Sequence, residues 1–140
     1  MQDRGYAFFN HTADIGIRAE ASTLEELFIR MAQGLTELLV EDSPLQPREA
    51  RSIELTADDA ASLLLKWLQE LLFWFATERF APIRYVLTEV TPTSLRGTVR
   101  GERFDPARHQ QGREVKAITR HLLRAEPCED GWVGEVIVDI

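Results

Sequence analysis

The chain has 140 residues, 44% of them hydrophobic and 28% charged, with 23 acidic against 16 basic side chains and a formal charge of −7. That is the size and balance of one ordinary soluble domain spanning 1–140, and no apolar run approaches the roughly 18 residues that cross a bilayer, so no membrane partner is expected. Excess acid gives up the counterion-release term behind tight nucleic-acid binding over a whole surface; a basic protein partner or bound cations suit it better.

The lone cysteine, Cys128, lies in the acidic turn Pro127-Cys128-Glu129-Asp130-Gly131, which disfavours a thiolate, so neither a disulfide framework nor a thiolate metal site is expected. The start, Met1-Gln2-Asp3-Arg4, lacks the basic-then-apolar pattern of a leader peptide, and the chain reads as cytoplasmic.

Tyr6-Ala7-Phe8-Phe9 is a short strand, followed by the small, polar turn His11-Thr12-Ala13. Asp14 to Glu20 alternates as a half-buried strand does. Thr23-Leu24-Glu25-Glu26 is a capping box for a first helix, whose stripe is Leu24, Leu27, Phe28, Met31, Leu35, Leu38 and Leu39, ended by Asp42-Ser43-Pro44. A strand over Arg51–Thr56 leads to Ala57-Asp58-Asp59, which opens a second helix with its acids against the helix dipole. Leu64, Trp67, Leu68, Leu71, Leu72 and Phe75 carry its stripe, and Pro82 lies beyond its end. Both stripes read as core.

From residue 83 the period becomes two. Ile83–Thr91 and Ser94–Arg100 form one hairpin across Pro92-Thr93, and Glu114–Ala125 with Trp132–Ile140 form another. Between the hairpins, residues 101–113 have no apolar period, a length at which loops are functional or mobile. The expected fold is α+β: two helices packed on a largely antiparallel sheet system, in the order β-β-α-β-α-β-β-β-β.

Chemistry concentrates at the strand ends. Asp14 opens the second strand, and Asp139 with the terminal carboxylate of Ile140 closes the last, with no Lys or Arg after Glu126 to neutralise them. If those ends meet, three carboxyl groups offer up to six hard oxygens, a set suited to a divalent cation, Ca²⁺ ahead of Mg²⁺. The bland reading is three solvated strand-end charges, and spacing alone does not bring the ends together. One His beside carboxylates, His11, does not make a zinc site, and His109 and His121 have no spaced partners. Glu114-Val115-Lys116-Ala117-Ile118-Thr119 alternates, placing Glu114, Lys116 and Ile118 on one face. Lys116 is then a snorkelling strand residue or a charge set beside the carboxylates. No nucleophile elbow or glycine-rich phosphate loop is present.

Taken together, His11-Thr12-Ala13-Asp14, the paired helices, Gly101-Glu102, Gln111-Gly112-Arg113-Glu114-Val115-Lys116-Ala117-Ile118-Thr119 and the closing Val138-Asp139-Ile140 resemble the archease family over essentially the whole chain. The resemblance implies a non-catalytic partner of the GTP-dependent RtcB-type RNA ligase, promoting ligase guanylylation and repeated turnover in tRNA splicing or RNA repair. It implies metal ligands at Asp14, Asp139 and Ile140, and a role in partner contact or activation for Lys116, with His11 and Glu114 in the same two motifs. Arg120-His121 departs from the aromatic common in relatives and leaves the metal set intact. The rival readings are a stand-alone metal-dependent hydrolase or nuclease, which would use the same acids to activate water, and a chaperone-like binding module.

Overall fold

The computed structural model describes residues 5–11, 14–41 and 44–140, with the main chain alone at His11. The turn residues Thr12 and Ala13 and the helix stop Asp42-Ser43 lie outside the described residues.

Strands β1 (Tyr6–His11) and β2 (Asp14–Ala21) precede helix α1 (Leu24–Leu39). The Thr23 hydroxyl caps α1 by accepting from the Glu26 amide at 3.1 Å, as the capping box requires. The other half of the box is replaced: Glu26 turns one helical turn forward and pairs with Arg30 at 2.9 Å. The whole predicted stripe of α1 is buried. After the two-residue strand β3 (Val40–Glu41), β4 (Glu49–Thr56) leads to α2 (Ala60–Glu78). Asp59 is the α2 cap rather than part of the helix, accepting from the Ser62 amide at 2.7 Å, and that bond holds its carboxyl below the ordinary value.

Strands β5 (Phe80–Val90), β6 (Ser94–Arg103), β7 (Gln110–Gln111), β8 (Ala117–Cys128) and β9 (Gly131–Asp139) complete the chain. The predicted order therefore holds, with β3 and β7 added as a short antiparallel pair. Two strands run through prolines that the sequence reading placed outside them, Pro82 in β5 and Pro127 in β8. Both strands are sheet edges, the one place where a missing N–H costs no ladder bond. The turn closing the last hairpin shrinks to Glu129-Asp130.

The sheets are antiparallel, in the orders β1-β2-β9-β8 and β4-β6-β5. The helices lie between them: α1 touches β1, β2 and β9 on one side and β5 on the other, while α2 touches β8 on one side and β4, β5 and β6 on the other. Ile15, Ile17 and Ala19 of β2 and Val136 and Val138 of β9 point into this layer, against Leu27, Met31, Leu64 and Leu68. Trp67 is fully buried at its centre, donating its indole N–H to the Phe28 carbonyl at 2.9 Å and lying against the Phe28 and Tyr85 rings.

Replacing Trp67 by Phe leaves a gap no neighbour can fill and drops one donor. The expected cost is about 2 kcal/mol of unfolding free energy at an unchanged denaturant m value. Equal stability by chemical denaturation would remove Trp67 from the centre of the core.

Candidate functional site: an acidic strand-end rim

The two ends that the sequence could not join are joined by the β2–β9 ladder. Its register sets Asp14 directly opposite Asp139, Ile15 opposite Val138, and so on to Ala21 opposite Trp132. His11 stands opposite Asp14 on β1, and Ala117 opposite Asp139 on β8. Four positions, His11, Asp14, Asp139 and Ala117, thus form one row across the end of the sheet, with Ile140 one residue further. Residues facing each other on adjacent strands share a sheet face, and their Cβ atoms lie about 4.5–5.5 Å apart. Because Ile15 and Val138 point to the helices, Asp14 and Asp139 project from the opposite face. Both aspartates are half-buried, and Ile140 packs partly against the core.

Further along this outer face the register places Gly16 beside Ile137, and the Phe9 ring lies across Gly16 so closely that a Cβ there would sit 2.0 Å from the Phe9 Cζ. Beyond that apolar step comes a cationic row. Glu135 binds Arg18 at 2.9 Å and Arg124 at 2.8 Å. The Arg124 guanidinium, with Arg18 behind it, holds the Glu135 carboxyl below its ordinary value of 4.5. These arginines are engaged four residues away from the two aspartates, and Asp139 is in no ion pair among the described residues. Nor do three His, Cys, Asp or Glu side chains converge on one point among those residues.

Lys116 reaches the rim through its main chain, its amide donating to the Asp139 carbonyl at 2.8 Å while its side chain stays exposed. The strand expected over 114–125 begins only at Ala117, so Glu114, Lys116 and Ile118 do not share a face: Ile118 is buried and the other two are exposed. The reason is competition for the preceding amides. Gly112 and Arg113 donate to the Leu39 and Leu38 carbonyls at 3.0 and 2.7 Å, closing the C-terminal end of α1. Gly112 approaches that end so closely that a Cβ would lie 2.1 Å from the Leu38 oxygen. Glu114 is exposed, and among the described residues no contact draws it to the aspartates. His11 joins the row through its main-chain pairing.

Sequence reasoning missed what fixes the segment before Lys116. Glu102 is 2% exposed and gathers Arg108, the Gln46 amide at 2.6 Å, Arg48 at 3.5 Å and His109 at 3.6 Å. The His109 Nδ1 accepts from the Asp105 amide at 2.8 Å, so in the neutral ring the proton lies on Nε2, facing Glu102. Arg79, in a left-handed conformation at φ 60 after α2, stacks on Phe75 and Phe104 at 4.3 and 5.0 Å. The segment over 101–113 is therefore anchored rather than loose. The visible signal was a charged residue, Glu102, beside a glycine at the end of an alternating strand.

The architecture and rim define a small α+β protein whose first and last long strands bring two aspartates face to face. The model of the archease protein family (MTH1598/TM1083) matches residues 6–140, and the chain belongs to that family. It is 37% identical over 139 residues to the protein archease of Pyrobaculum calidifontis, covering 96% of this chain and 95% of that one. It is 38% identical over 142 residues to that of Thermococcus gammatolerans, covering 98% and 99%. The solution structure of Methanobacterium thermoautotrophicum protein 1598 superposes with a TM-score of 0.79 at 33% identity, over 99% of this chain and 100% of that one. A Thermotoga maritima crystal structure, of an archease described as a possible chaperone, shares the fold at a TM-score of 0.62 and 22% identity, over 94% of each chain. Among the described residues no helix is long and apolar enough to cross a membrane.

The depressed Glu135 carboxyl has a pH signature. Its contribution is present above the unfolded value of 4.5 and is lost as the pH falls through the lower folded value. Glu135→Gln should cost less than about 1 kcal/mol at neutral pH, since the pair is partly solvated, and should flatten the loss of stability below pH 4.5. Parallel stability curves for both proteins between pH 7 and pH 3 would contradict this.

Proposed function

We propose that this chain is a non-catalytic activator of an RtcB-type RNA ligase, promoting guanylylation of the ligase and its repeated turnover through a divalent-cation site on the acidic rim. The observation that carries the reading is the rung on which Asp14 faces Asp139. Two carboxyl side chains set on one rung offer oxygen ligands to a shared cation. Asp14 and Asp139 would each give oxygen ligands, and the terminal carboxylate of Ile140, ionised at neutral pH, would be the third. Carbonyls and water would fill the shell that Ca²⁺, or less readily Mg²⁺, demands. When bound, the cation would offset the rim's negative charge and hold open coordination positions for oxygens of the partner.

The remaining work falls to the chain's own residues. The Lys116 amide is tied to Asp139, so the ammonium group swings from a fixed base beside the carboxylates and can reach a phosphate or an acidic group of the ligase. Glu114, exposed two residues earlier, is a rim-side contact for the partner, and His11 closes the row on the other side. The net charge of −7 suits a protein that touches the ligase more than the RNA.

Asp139→Ala should abolish stimulation of multiple-turnover ligation while the melting transition stays within about 1 kcal/mol of the parent. Unchanged stimulation overturns the reading. Cleavage of RNA by the chain alone favours a metal-dependent nuclease, and equal protection of unrelated clients favours a chaperone.

With Ile140 as the last residue, a short C-terminal extension should weaken divalent-cation binding by about tenfold or more, measured by calorimetry, although every side chain remains. Equal affinity with and without the extension would leave the final carboxylate as an ordinary strand end.

A further inference from the structure

The β4-β6-β5 sheet turns Ile53, Leu87, Leu95 and Val99 toward the helices and leaves its other face open to solvent. On the open face the rungs read Ala50–Arg100–Arg84, Ser52–Thr98–Val86 and Glu54–Arg96–Glu89. Arg96 is answered by Glu54 at 3.3 Å. Arg84 and Arg100 are not answered: both are exposed, they stand directly opposite each other, and neither enters an ion pair among the described residues. In a chain with 23 acidic residues, two facing guanidinium groups without a carboxylate are an uncompensated like-charge pair.

The next outward residue on β6 deepens the asymmetry. Glu102 lies buried at 2% exposure, whereas Arg48 and Arg108, which it holds, are 65% and 44% exposed at their side chains. The carboxylate is thus sealed beneath the cations. Arg108 also reaches Asp105 at 3.3 Å, the one exposed acid in the group. Arg48 and Arg108 are thus gathered at Glu102, two residues along β6 from Arg100.

The rest of that face limits what could sit there. Its rungs carry Ala50, Ser52, Thr98 and Val86 beside the charges, with no aromatic residue and no methionine. Protein interfaces build an apolar, often aromatic anchor at their centre, and this face has none. Base-reading surfaces stack bases on aromatic rings, and these are missing too. Guanidinium forks without anchors or stacking platforms match phosphate oxygens, which they bind in bidentate fashion. Arg84 and Arg100 stand on one rung of one sheet face, a single point of contact that suits one backbone. We infer that the Arg84–Arg100 end of this open face binds the phosphodiester backbone of a single-stranded nucleic acid, through charge and without base preference.

The overall charge of −7 opposes the approach of a polyanion, so the contact is weak, local and steeply dependent on salt. Binding is a property of the chain alone and does not rest on the ligase reading.

Fluorescence polarisation of the full chain with a labelled oligouridylate and a labelled mixed-sequence RNA of equal length, at about 25 mM salt, tests the inference. The two probes should bind equally, with a log–log salt slope of about −2 for three phosphate contacts. Arg84→Ser/Arg100→Ser should weaken binding at least about fivefold and make the slope shallower by about 1.4, the share of two contacts. Arg84→Lys/Arg100→Lys, which keeps the charge, should retain most of the slope, and both variants should melt as the parent does. A control with the same charge change elsewhere, Arg30→Ser/Arg120→Ser, should stay within about twofold. No binding by the parent, or an equal loss in the control, overturns the inference. Tighter binding of a duplex would overturn it as well. So would displacement of the RNA by polyglutamate at matched charge, which would make the face a dock for an acidic protein.

Discussion

The β2–β9 ladder is where the protein's geometry is decided. It pairs Asp14–Ala21 with Trp132–Asp139 without a break, while both partners bury every second residue against the helices. A slip of one residue would turn Ile15, Ile17, Val136 or Val138 outward and an aspartate or Glu135 inward, so the core enforces the register. The facing of Asp14 and Asp139 is a by-product of that enforcement. Two acidic residues share a rung because the apolar residues next to them leave no alternative.

A second constraint brings in the lysine. The chain leaves β6, folds over the buried Glu102, passes beneath the Arg79 stack and closes the carbonyl end of α1 with Gly112 and Arg113. Each step satisfies a local need: a buried carboxylate, an uncapped helix end, an aromatic face. Arginine at a left-handed position, where glycine is the usual choice, makes sense in this light, because its guanidinium gains two rings that glycine could not offer. The sum of these steps delivers the Lys116 amide to Asp139. The rim and the open arginine face therefore share one anchor, Glu102, although they lie on different sheets.

Local physics was legible from the residues. Thr23 caps α1, the apolar stripe of α1 is buried as spaced, and the hairpin at Pro92-Thr93 forms, because each depends on residues within a few positions of one another. What escaped was non-local. Nothing around Asp14 or Asp139 reveals that residues so far apart in sequence share a rung; only the resemblance to a family suggested they meet. The strand start at Ala117 was misplaced because alternation continues through Glu114 and Lys116, while the amides before it are claimed by a distant helix end. Pro82 and Pro127 read as breaks because an edge strand cannot be told from a central one until the sheet is assembled. The opposition of Arg84 and Arg100 was invisible for the same reason: it exists only across strands.

The order β1-β2-β9-β8 puts β9, the latest of these strands in chain order, in the interior of its sheet. While the chain emerges, β1, β2 and α1 must wait with one edge of β2 unpaired and their apolar residues uncovered, and such an edge is a template for the wrong partner. Closure is set by a contact between distant parts of the chain, which is slow to form. A nascent or prematurely ended chain lacking β9 would have neither a closed core nor the carboxylate pair. Assembly of the acidic rim is thus coupled to the arrival of β9, and the period before that arrival is when these strands are most exposed to aggregation.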